Sequence, residues 1–500
     1  MDNHAGSTRL PDVSSPLARL LESPHSSTPS RAFSIHADGQ GLRGLARNRR
    51  FVVLGATALS IALFLVLRDL AAFSTYPEAW ELAPPPSSQP LVAVEATTRT
   101  VVATVTRTLT TTLSGPTVTT TFSAPAVTET VVTEVAPRVE PVAFVLIAWS
   151  EDAAAEAALL IKSILIYNSS PSEFHIICDD PAEKFLRARF ALVKRPQYPL
   201  TVRFYQPSWQ SMVDRIDREG SIFTDHSAGV PGLMKLFIHE ILPASVKKVI
   251  FVDTDSLLIA DASLMWRIWD DAKPSTAFIM ASHSDQDAEE WHHASRICSC
   301  VMMLNLEKFR ELRLMDSSIY RNDTSGRFPT ALAPSAFRAM YGEPTGENGR
   351  YDNVRLGDQG YWWAIVDHNR DRFEHLSFDF EVTSCLLESY MTGLGEEMTP
   401  EEVELSHQIY IANTPQEGIP VLPKLLHFNC LHGIPRYMDW PGWKDPENYL
   451  NFRWGAAVTY HVGFKWIWLN KGKGENVPDM TTTSVVFADE LYAQAQHHTT

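Results

Sequence analysis

From Pro141 onward the sequence predicts an α/β fold, a single Rossmann-like, mostly parallel sheet flanked by helices, preceded by a transmembrane helix and a disordered stem. Three observations predict it. Short, continuously apolar, β-rich runs alternate with helical stretches of about ten to fifteen residues, the pattern of strands buried on both faces. One such run, Val249-Ile250-Phe251-Val252, ends directly in Asp253-Thr254-Asp255, and in open parallel sheets ligands bind beyond the carboxyl ends of the strands. The residues before Pro141 divide into a polar tail, an apolar run and a Thr-rich stretch, none with the periodicity of a packed domain.

Residues 1–50 are rich in Ser, Pro, Arg and Gly and end in Arg43, Arg47, Arg49 and Arg50; this reads as a disordered tail. Phe51 to Leu67 runs without a charge, and past Arg68-Asp69 the apolar character resumes to Phe73. That length spans a bilayer. Fifty residues precede the run and no small-residue cleavage site follows it, so it reads as an uncleaved signal anchor over 51–73. The arginines crowd its N-terminal flank, which places the tail in the cytosol and the remainder in the lumen, a single-pass type II arrangement. Residues 74–140, dominated by Thr, Val, Ser, Ala and Pro, suit an O-glycosylated lumenal stem, and their Val/Thr alternation also reads as edge strands. Two sequons, Asn168-Ser169-Ser170 and Asn322-Asp323-Thr324, fit a lumenal domain.

Within the domain, Pro141 to Trp149 predicts a buried strand and the Ala-rich run after it a helix to Ile166. Strands follow at Phe174 to Cys178, Leu200 to Tyr205 and Lys248 to Asp253, with helices over Glu183 to Leu192, Leu233 to Leu242 and Ala262 to Trp269. The aromatic stretch Phe452 to Asn470 is too polar to cross a membrane and packs on the domain, and the tail beyond Lys471 carries no functional signal.

The 500 residues, 45% hydrophobic, hold one sizeable domain plus appendages. A net charge of −16 argues against nucleic acid as a partner, because phosphate binding needs clustered Lys and Arg. The five cysteines are too few and scattered for a disulfide framework or a zinc pattern, and their odd number leaves at least one unpaired. Cys298 and Cys300 are too close for an easy mutual disulfide and read as core thiols. Trp291-His292-His293 reads as a solvated or acceptor-facing loop, because adjacent side chains point in different directions. The acidic cluster Glu396, Glu397, Glu401, Glu402 and Glu404 reads as an exposed helix face.

Two carboxylates two residues apart at a strand end converge on one hard divalent cation, which also bridges phosphate oxygens. Surface turns produce Asp-x-Asp too; the apolar run before it and Leu257-Leu258-Ile259 after it set this one apart. Haloacid-dehalogenase phosphatases place Asp-x-Asp near the start of their domain and carry Thr or Val two residues on, where this chain has Leu257 after a hundred folded residues.

Four ordered stretches resemble retaining glycosyltransferase family 8, and the xylosyltransferase domain of LARGE-like enzymes within it. They are Ser227 to Trp266, with Gly232-Leu233-Met234-Lys235-Leu236 ahead of the Asp-x-Asp, then Cys300 to Leu312, Leu356 to Trp363, and Leu425 to Tyr437. The resemblance implies a GT-A type nucleotide-diphospho-sugar transferase fold with its catalytic domain over 141–445 and a C-terminal extension over 446–500. It implies a Golgi enzyme that moves sugar from a UDP-sugar to a glycan or glycoprotein acceptor, with Mn²⁺ held by Asp253, Asp255 and His427. Lys235, Asp253, Thr254, Asn429, Gly433 and Arg436 become donor-binding residues, the last two in a loop that closes over the diphosphate. Asp358 and Gln359 stand beside the donor sugar, Asp358 toward its hydroxyls and Gln359 near the anomeric face. An amide is a poor nucleophile, so front-face displacement is the simpler route.

Departures accompany the matches. Cys298-Ser299-Cys300 stands where relatives carry Asn and Gly, Arg436-Tyr437 follows Pro435 where they have Lys and Trp, and Gly360 replaces a second acid. The first of these keeps a second reading open, a catalytically silent lumenal module that binds glycans or a partner transferase.

Overall fold

The computed structural model describes residues 140–282, 289–384 apart from 325 and 327, 400, 416, 419–431 and 436–497 apart from 475, together with 107–109 and 120–122. Contacts divide the chain into 1–95 and 96–500, and every described residue lies in the second part. The tail, the apolar run 51–73, the Glu396 to Glu404 cluster and Gly433 lie outside the described residues. Among the described residues no helix is long and apolar enough to cross a membrane. In the Thr-rich stretch, β1 (Arg107–Leu109) and β2 (Thr120–Phe122) pair antiparallel, so part of its β-branched alternation is used as strands.

The main sheet has eight strands: β3 (Val142–Ala148), β4 (Ser172–Cys178), β5 (Leu200–Gln206), β6 (Lys248–Val252), β8 (Phe278–Ser282), β9 (Ile297–Asn305), β10 (Phe373–Leu376) and β13 (Asp479–Ser484). Their spatial order is β10-β8-β9-β6-β3-β4-β5-β13. Only β9 runs against its neighbours; the other pairings are parallel. In β3, Ala143 and Val145 enter one core while Val142, Phe144, Leu146 and Ala148 enter the other. That two-sided burial is why the strand is continuously apolar rather than alternating. A second, three-stranded sheet joins β7 (Ser256–Leu258), β11 (Val382–Thr383) and β12 (Leu425–His427) in the order β11-β12-β7.

Helix α1 (Glu151–Tyr167) starts at Ser150, whose Oγ accepts the Ala153 N–H at 3.2 Å, with Glu151 and Asp152 in its positive first turn. The predicted helix over Leu233 to Leu242 is broken into Gly229–Leu233, a 3₁₀ turn Met234–Phe237 and Ile238–Ile241. Met234, Lys235, Leu236 and Phe237 are all buried, and no single α-helical face buries four consecutive residues. Ala262 to Trp269 likewise forms two single turns, Ser263–Trp266 and the first residues of Ile268–Asp271.

The chain beyond Lys471 is built into the domain. Strand β13 pairs in parallel with β5 from Asp479 opposite Thr201 to Ser484 opposite Gln206. Phe487 is fully buried, and Asp489 enters a buried ion cluster with Arg215 and Arg218. The sequon at Asn168 is buried, its Nδ2 donating to Ser170 O at 2.8 Å and Ser172 Oγ at 2.7 Å, whereas Asn322 is exposed. The amide of Asn168, the atom that carries an N-glycan, is therefore spent on a turn.

The thiol expectation is corrected. Cys298 and Cys300 form a disulfide with a Cα–Cα separation of 5.3 Å, inside the range such bonds span. Residues i and i+2 of a strand share a face, and the β8–β9 register shifts between Met280 and Ser282, beside this end of β9. That irregularity accompanies the close approach, which flat-strand geometry does not predict. Cys430 is disulfide-bonded as well, and Cys178 is a free, buried thiol.

Candidate functional site

The carboxyl ends of β3 and β6 open into a cleft of about 1100 Å³. Among its lining residues are Glu156, Lys235, Asp253, Thr254, Asp255, Asp358, Gln359, His427 and Asn429. The two sheets together assemble it. Strand β6 delivers Asp253 and Asp255, and the backbone N–H of Asp253 bonds Cys300 O at 2.8 Å, anchoring the turn to β9. The chain then enters β7, which β12 meets antiparallel with His427 opposite Ser256. Phe428 N–H reaches Asp255 O at 2.9 Å, closing that pairing. Register alone thus sets the His427 imidazole beside the Asp-x-Asp.

His427 Nε2 lies 3.3 Å from Asp255 Oδ1, and Nδ1 lies 3.0 Å from Glu381 Oε1. Burial by itself lowers the imidazole's pKa, but Asp255 and Glu381 outweigh it and hold His427 well above its ordinary value. Burial likewise raises Asp255, yet the His427 charge and hydrogen bond bring it below the usual carboxylate range. Asp253 is pushed up to about 6, by burial first and by Asp255 and Asp358 after it, against the opposing pull of Lys235. Lys235 Nζ sits 3.0 Å from Asp253 Oδ2 and 3.5 Å from Asp358 Oδ1. Burial opposes its charge, and those two carboxylates raise it above the ordinary lysine value.

Asp253, Asp255 and His427 each offer a ligand atom within 4.8 Å of the others. Two carboxylates and one imidazole, with a cleft in front of them, fit a hard divalent cation that keeps open positions for phosphate oxygens. Glu381, 3.0 Å from His427 Nδ1, stands where an outer carboxylate would orient a ligating imidazole. It is fully buried, and its Oε2 has no hydrogen-bond partner. Glu381→Gln is expected to weaken Mn²⁺ binding about 10- to 100-fold while the melting temperature changes little, read by manganese electron paramagnetic resonance titration; unchanged affinity removes Glu381 from the site.

Asp358 begins the helix Asp358–His368. Its Oδ2 is buried without a hydrogen-bond partner, an acceptor at the cleft wall. The preceding Leu356 and Gly357 both have φ of 61°, and a Cβ at Gly357 would meet the His226 ring at 3.1 Å. Gly360 has a steric reason too, since a Cβ there would lie 2.4 Å from Arg355 O, leaving no space for an acid. Gln359 Nε2 donates to Ala294 O at 3.0 Å. Asn429 is exposed at the cleft, 3.5 Å from Ser384 Oγ. Arg436 is placed elsewhere: it pairs with Asp439 at 2.6 Å and lines a second cleft on the other side of α1, near Lys162 and Arg189.

Glu156 and Glu381 escaped sequence reasoning. Glu156 is the acid one turn beyond Glu151 and Asp152 in an Ala-rich helix, and its Oε1 accepts the Tyr437 N–H at 2.7 Å while Oε2 stands 3.5 Å from Thr254 Oγ1. Burial, resisted by the Tyr437 hydrogen bond, pushes it up to about 7. An acid on a helix that starts at a strand's carboxyl end was the available signal. For Glu381 none existed, because the residues that surround it come from distant strands. Trp149, Trp209 and Trp291 also line the cleft.

No protein-family model matches the chain. Human "Xylosyl- and glucuronyltransferase LARGE1" is 27% identical over 189 residues, 36% of this chain and 24% of that protein. "Xylosyl- and glucuronyltransferase LARGE2s" of Danio rerio is 34% identical over 119 residues, 24% of this chain and 15% of that protein. The matched stretches thus span about a quarter or less of these relatives' own length. Among solved structures, mouse xyloside xylosyltransferase 1 in its apo form aligns at a TM-score of 0.39 and 14% identity, over 59% of this chain and 100% of that one. The galactosyltransferase LgtC in complex with donor and acceptor sugar analogs aligns at a TM-score of 0.39 and 14% identity, over 64% of this chain and 95% of that one. Over the stretches they share, this chain is a homologue of the LARGE xylosyl- and glucuronyltransferases.

Proposed function

We propose that this chain is a metal-dependent retaining glycosyltransferase with a GT-A type fold, moving a sugar from a UDP-sugar to a glycan or glycoprotein acceptor. The observation that carries this reading is the convergence of Asp253, Asp255 and His427 at the end of β6, with the unpartnered Asp358 Oδ2 in the same cleft. Mn²⁺ held by the three ligands supplies the charge that neutralises a departing diphosphate. Asp358 accepts a hydrogen bond from a sugar hydroxyl, and Lys235 holds Asp358 and Asp253 in place from below. Gln359, tethered to Ala294, packs its amide at the anomeric side without serving as a nucleophile. The acceptor attacks from the face the diphosphate leaves. Gly433 and Arg436 are assigned to the diphosphate side of the donor; in the structure Arg436 pairs with Asp439. Thr254 and Asn429 complete the donor wall.

The reading extends to topology: a Golgi enzyme, anchored by 51–73 with 74–140 as its stem and the domain in the lumen. In that setting Asn322 carries an N-glycan, and Asn322→Gln removes the mass shift seen on glycosidase treatment; an unmodified Asn322 with the C-terminus reachable from the cytosol overturns the orientation. The function itself is tested by a panel of UDP-sugars offered to the purified protein with Mn²⁺. Hydrolysis of at least one is expected. Binding of none leaves the silent lumenal module in its place.

Metal binding carries a pH signature. Ligation needs Asp253 ionised and His427 neutral at Nε2, while the free site holds His427 protonated and raises Asp253 to about 6. Each proton must leave as the cation enters, so affinity rises with pH. A plot of log affinity for Mn²⁺ against pH is expected to have a slope of about one near neutrality and about two below pH 6, as Asp253 also protonates. A flat plot from pH 6 to 8 contradicts this ligand set.

A further inference from the structure

The Cys298–Cys300 disulfide occupies a more consequential place than a core position. Both residues line the donor cleft, and Cys298 Sγ lies 4.0 Å from His427 Nδ1. Cys298, Cys300, Glu381 and His427 each present a ligand atom within 4.8 Å of the others, and all four are buried. Two sulfurs, an imidazole and a carboxylate form a soft, closed donor set of the kind that holds Zn²⁺ tetrahedrally. The carboxylate already has an oxygen to offer, since Glu381 Oε2 is buried without a hydrogen-bond partner. In the structure as it stands, the sulfurs are bonded to each other and cannot ligate.

We infer that reduction of the Cys298–Cys300 bond creates a Zn²⁺ site from Cys298, Cys300, Glu381 and His427 Nδ1, which competes with the Asp253/Asp255 site for the shared imidazole. A small dithiol supplies the two electrons and two protons that convert the disulfide to two thiols, and leaves as its own disulfide. Zn²⁺ then displaces both thiol protons and the proton on His427 Nδ1, which leave to solvent, and binds the Nδ1 lone pair so exposed. A neutral imidazole has one lone pair and one N–H. With Nδ1–H directed at Glu381, Nε2 is free to ligate toward Asp255; with Nδ1 on Zn²⁺, the ring proton sits on Nε2 and that position is closed to a cation. The oxidised chain therefore presents the hard site and the reduced chain the soft one. This second consequence rests on the proposed function, whereas the existence of the thiolate site does not.

The test uses full-length protein, oxidised or reduced with a phosphine that does not chelate, and Co²⁺ as a spectroscopic stand-in for Zn²⁺. Reduced wild type is expected to show the sulfur-to-cobalt charge-transfer absorption that thiolate ligation produces, and to bind Zn²⁺ at least about tenfold more tightly than the oxidised form. Both signals should vanish in Cys298→Ser and in Cys300→Ser, and persist in Cys178→Ser, Cys385→Ser and Cys430→Ser, which separates this pair from the other three cysteines. Circular dichroism melts confirm that the variants fold. Zn²⁺ affinity equal in the two redox states, or a charge-transfer band that survives Cys300→Ser, overturns the site. Manganese resonance on the same samples reads the competition: Zn²⁺ is expected to expel Mn²⁺ only from reduced protein. A thiolate band without any Mn²⁺ binding faults the glycosyltransferase metal assignment alone, and Mn²⁺ binding without a thiolate band faults this inference alone.

Discussion

Replacing Asp255 with alanine is expected to lower Mn²⁺-dependent UDP-sugar hydrolysis by on the order of 10³-fold, because charge stabilisation by a positioned cation contributes several kcal/mol. The Asp255 side chain is one of the three proposed ligands and stands 3.3 Å from His427 Nε2. Without it two of the proposed ligands remain, and the imidazole keeps Glu381, at 3.0 Å, and Asp253 as neighbouring carboxylates. The fold is expected to stay, since the backbone carbonyl of Asp255, not its side chain, accepts the Phe428 N–H that holds β12 on β7. Asp255→Asn preserves shape and removes charge, so it separates the two contributions: it should behave like the alanine variant in metal binding. Wild-type hydrolysis by Asp255→Ala in the presence of Mn²⁺ would remove the cation from the proposed chemistry.

Arg215→Met is expected to be the most damaging single change to stability. The guanidinium is fully buried and bonds Glu240 through two nitrogens at 2.9 and 2.8 Å. It also donates to Asp316 O at 2.8 Å and stands 3.4 Å from Asp489 and 3.7 Å from Glu219. Its three carboxylate neighbours come from three segments, including the C-terminal helix Ala488–His497. Burial already pushes Glu219 up to about 8 with the arginine present. Taking away the cation leaves acids in the interior with no compensating charge, which costs about 3–5 kcal/mol. Urea unfolding measures the loss, and limited proteolysis should cut the C-terminal helix first, where Arg218 and the Ser317 hydroxyl still hold Asp489 but the buried guanidinium is gone. Arg215→Met/Glu240→Leu should recover part of the stability, because an ion pair replaced whole is less harmful than one broken in half. A loss below about 1 kcal/mol in the single variant would show that the cluster is solvated rather than buried.

Both expectations depend on contacts of different legibility. Strands β3 and β6 stood out in the chain because residues buried on both faces must be apolar in succession, and β4 and β5 by their β-rich runs, β5 alternating buried with half-buried residues. Asp253 and Asp255 were visible for the same reason: the run that precedes them ends where a ligand crevice begins. Lys235 and Asp358 were visible through their motifs, though not their mutual approach to 3.5 Å. The C-terminal strand β13 was not legible. Its residues Asp479–Ser484 are polar and mostly exposed, as an edge strand allows, so they carry neither hydrophobic periodicity nor a turn signal.

By itself the sequence determined the strand that carries Asp253-Thr254-Asp255, the covered parallel sheet around it, and several of the polar residues that line the cleft. Those are local properties, set by which side chains must leave water and at what spacing. Only the tertiary structure decided what meets at that cleft. The β12–β7 register brings His427 to Asp255, the packing of β11 brings Glu381 behind it, and the irregular end of β9 brings Cys298 onto Cys300. The first two join segments remote in sequence, and the third brings together residues two apart that flat-strand geometry keeps separate; all three are fixed by register and burial across the sheet, and local composition holds no record of them.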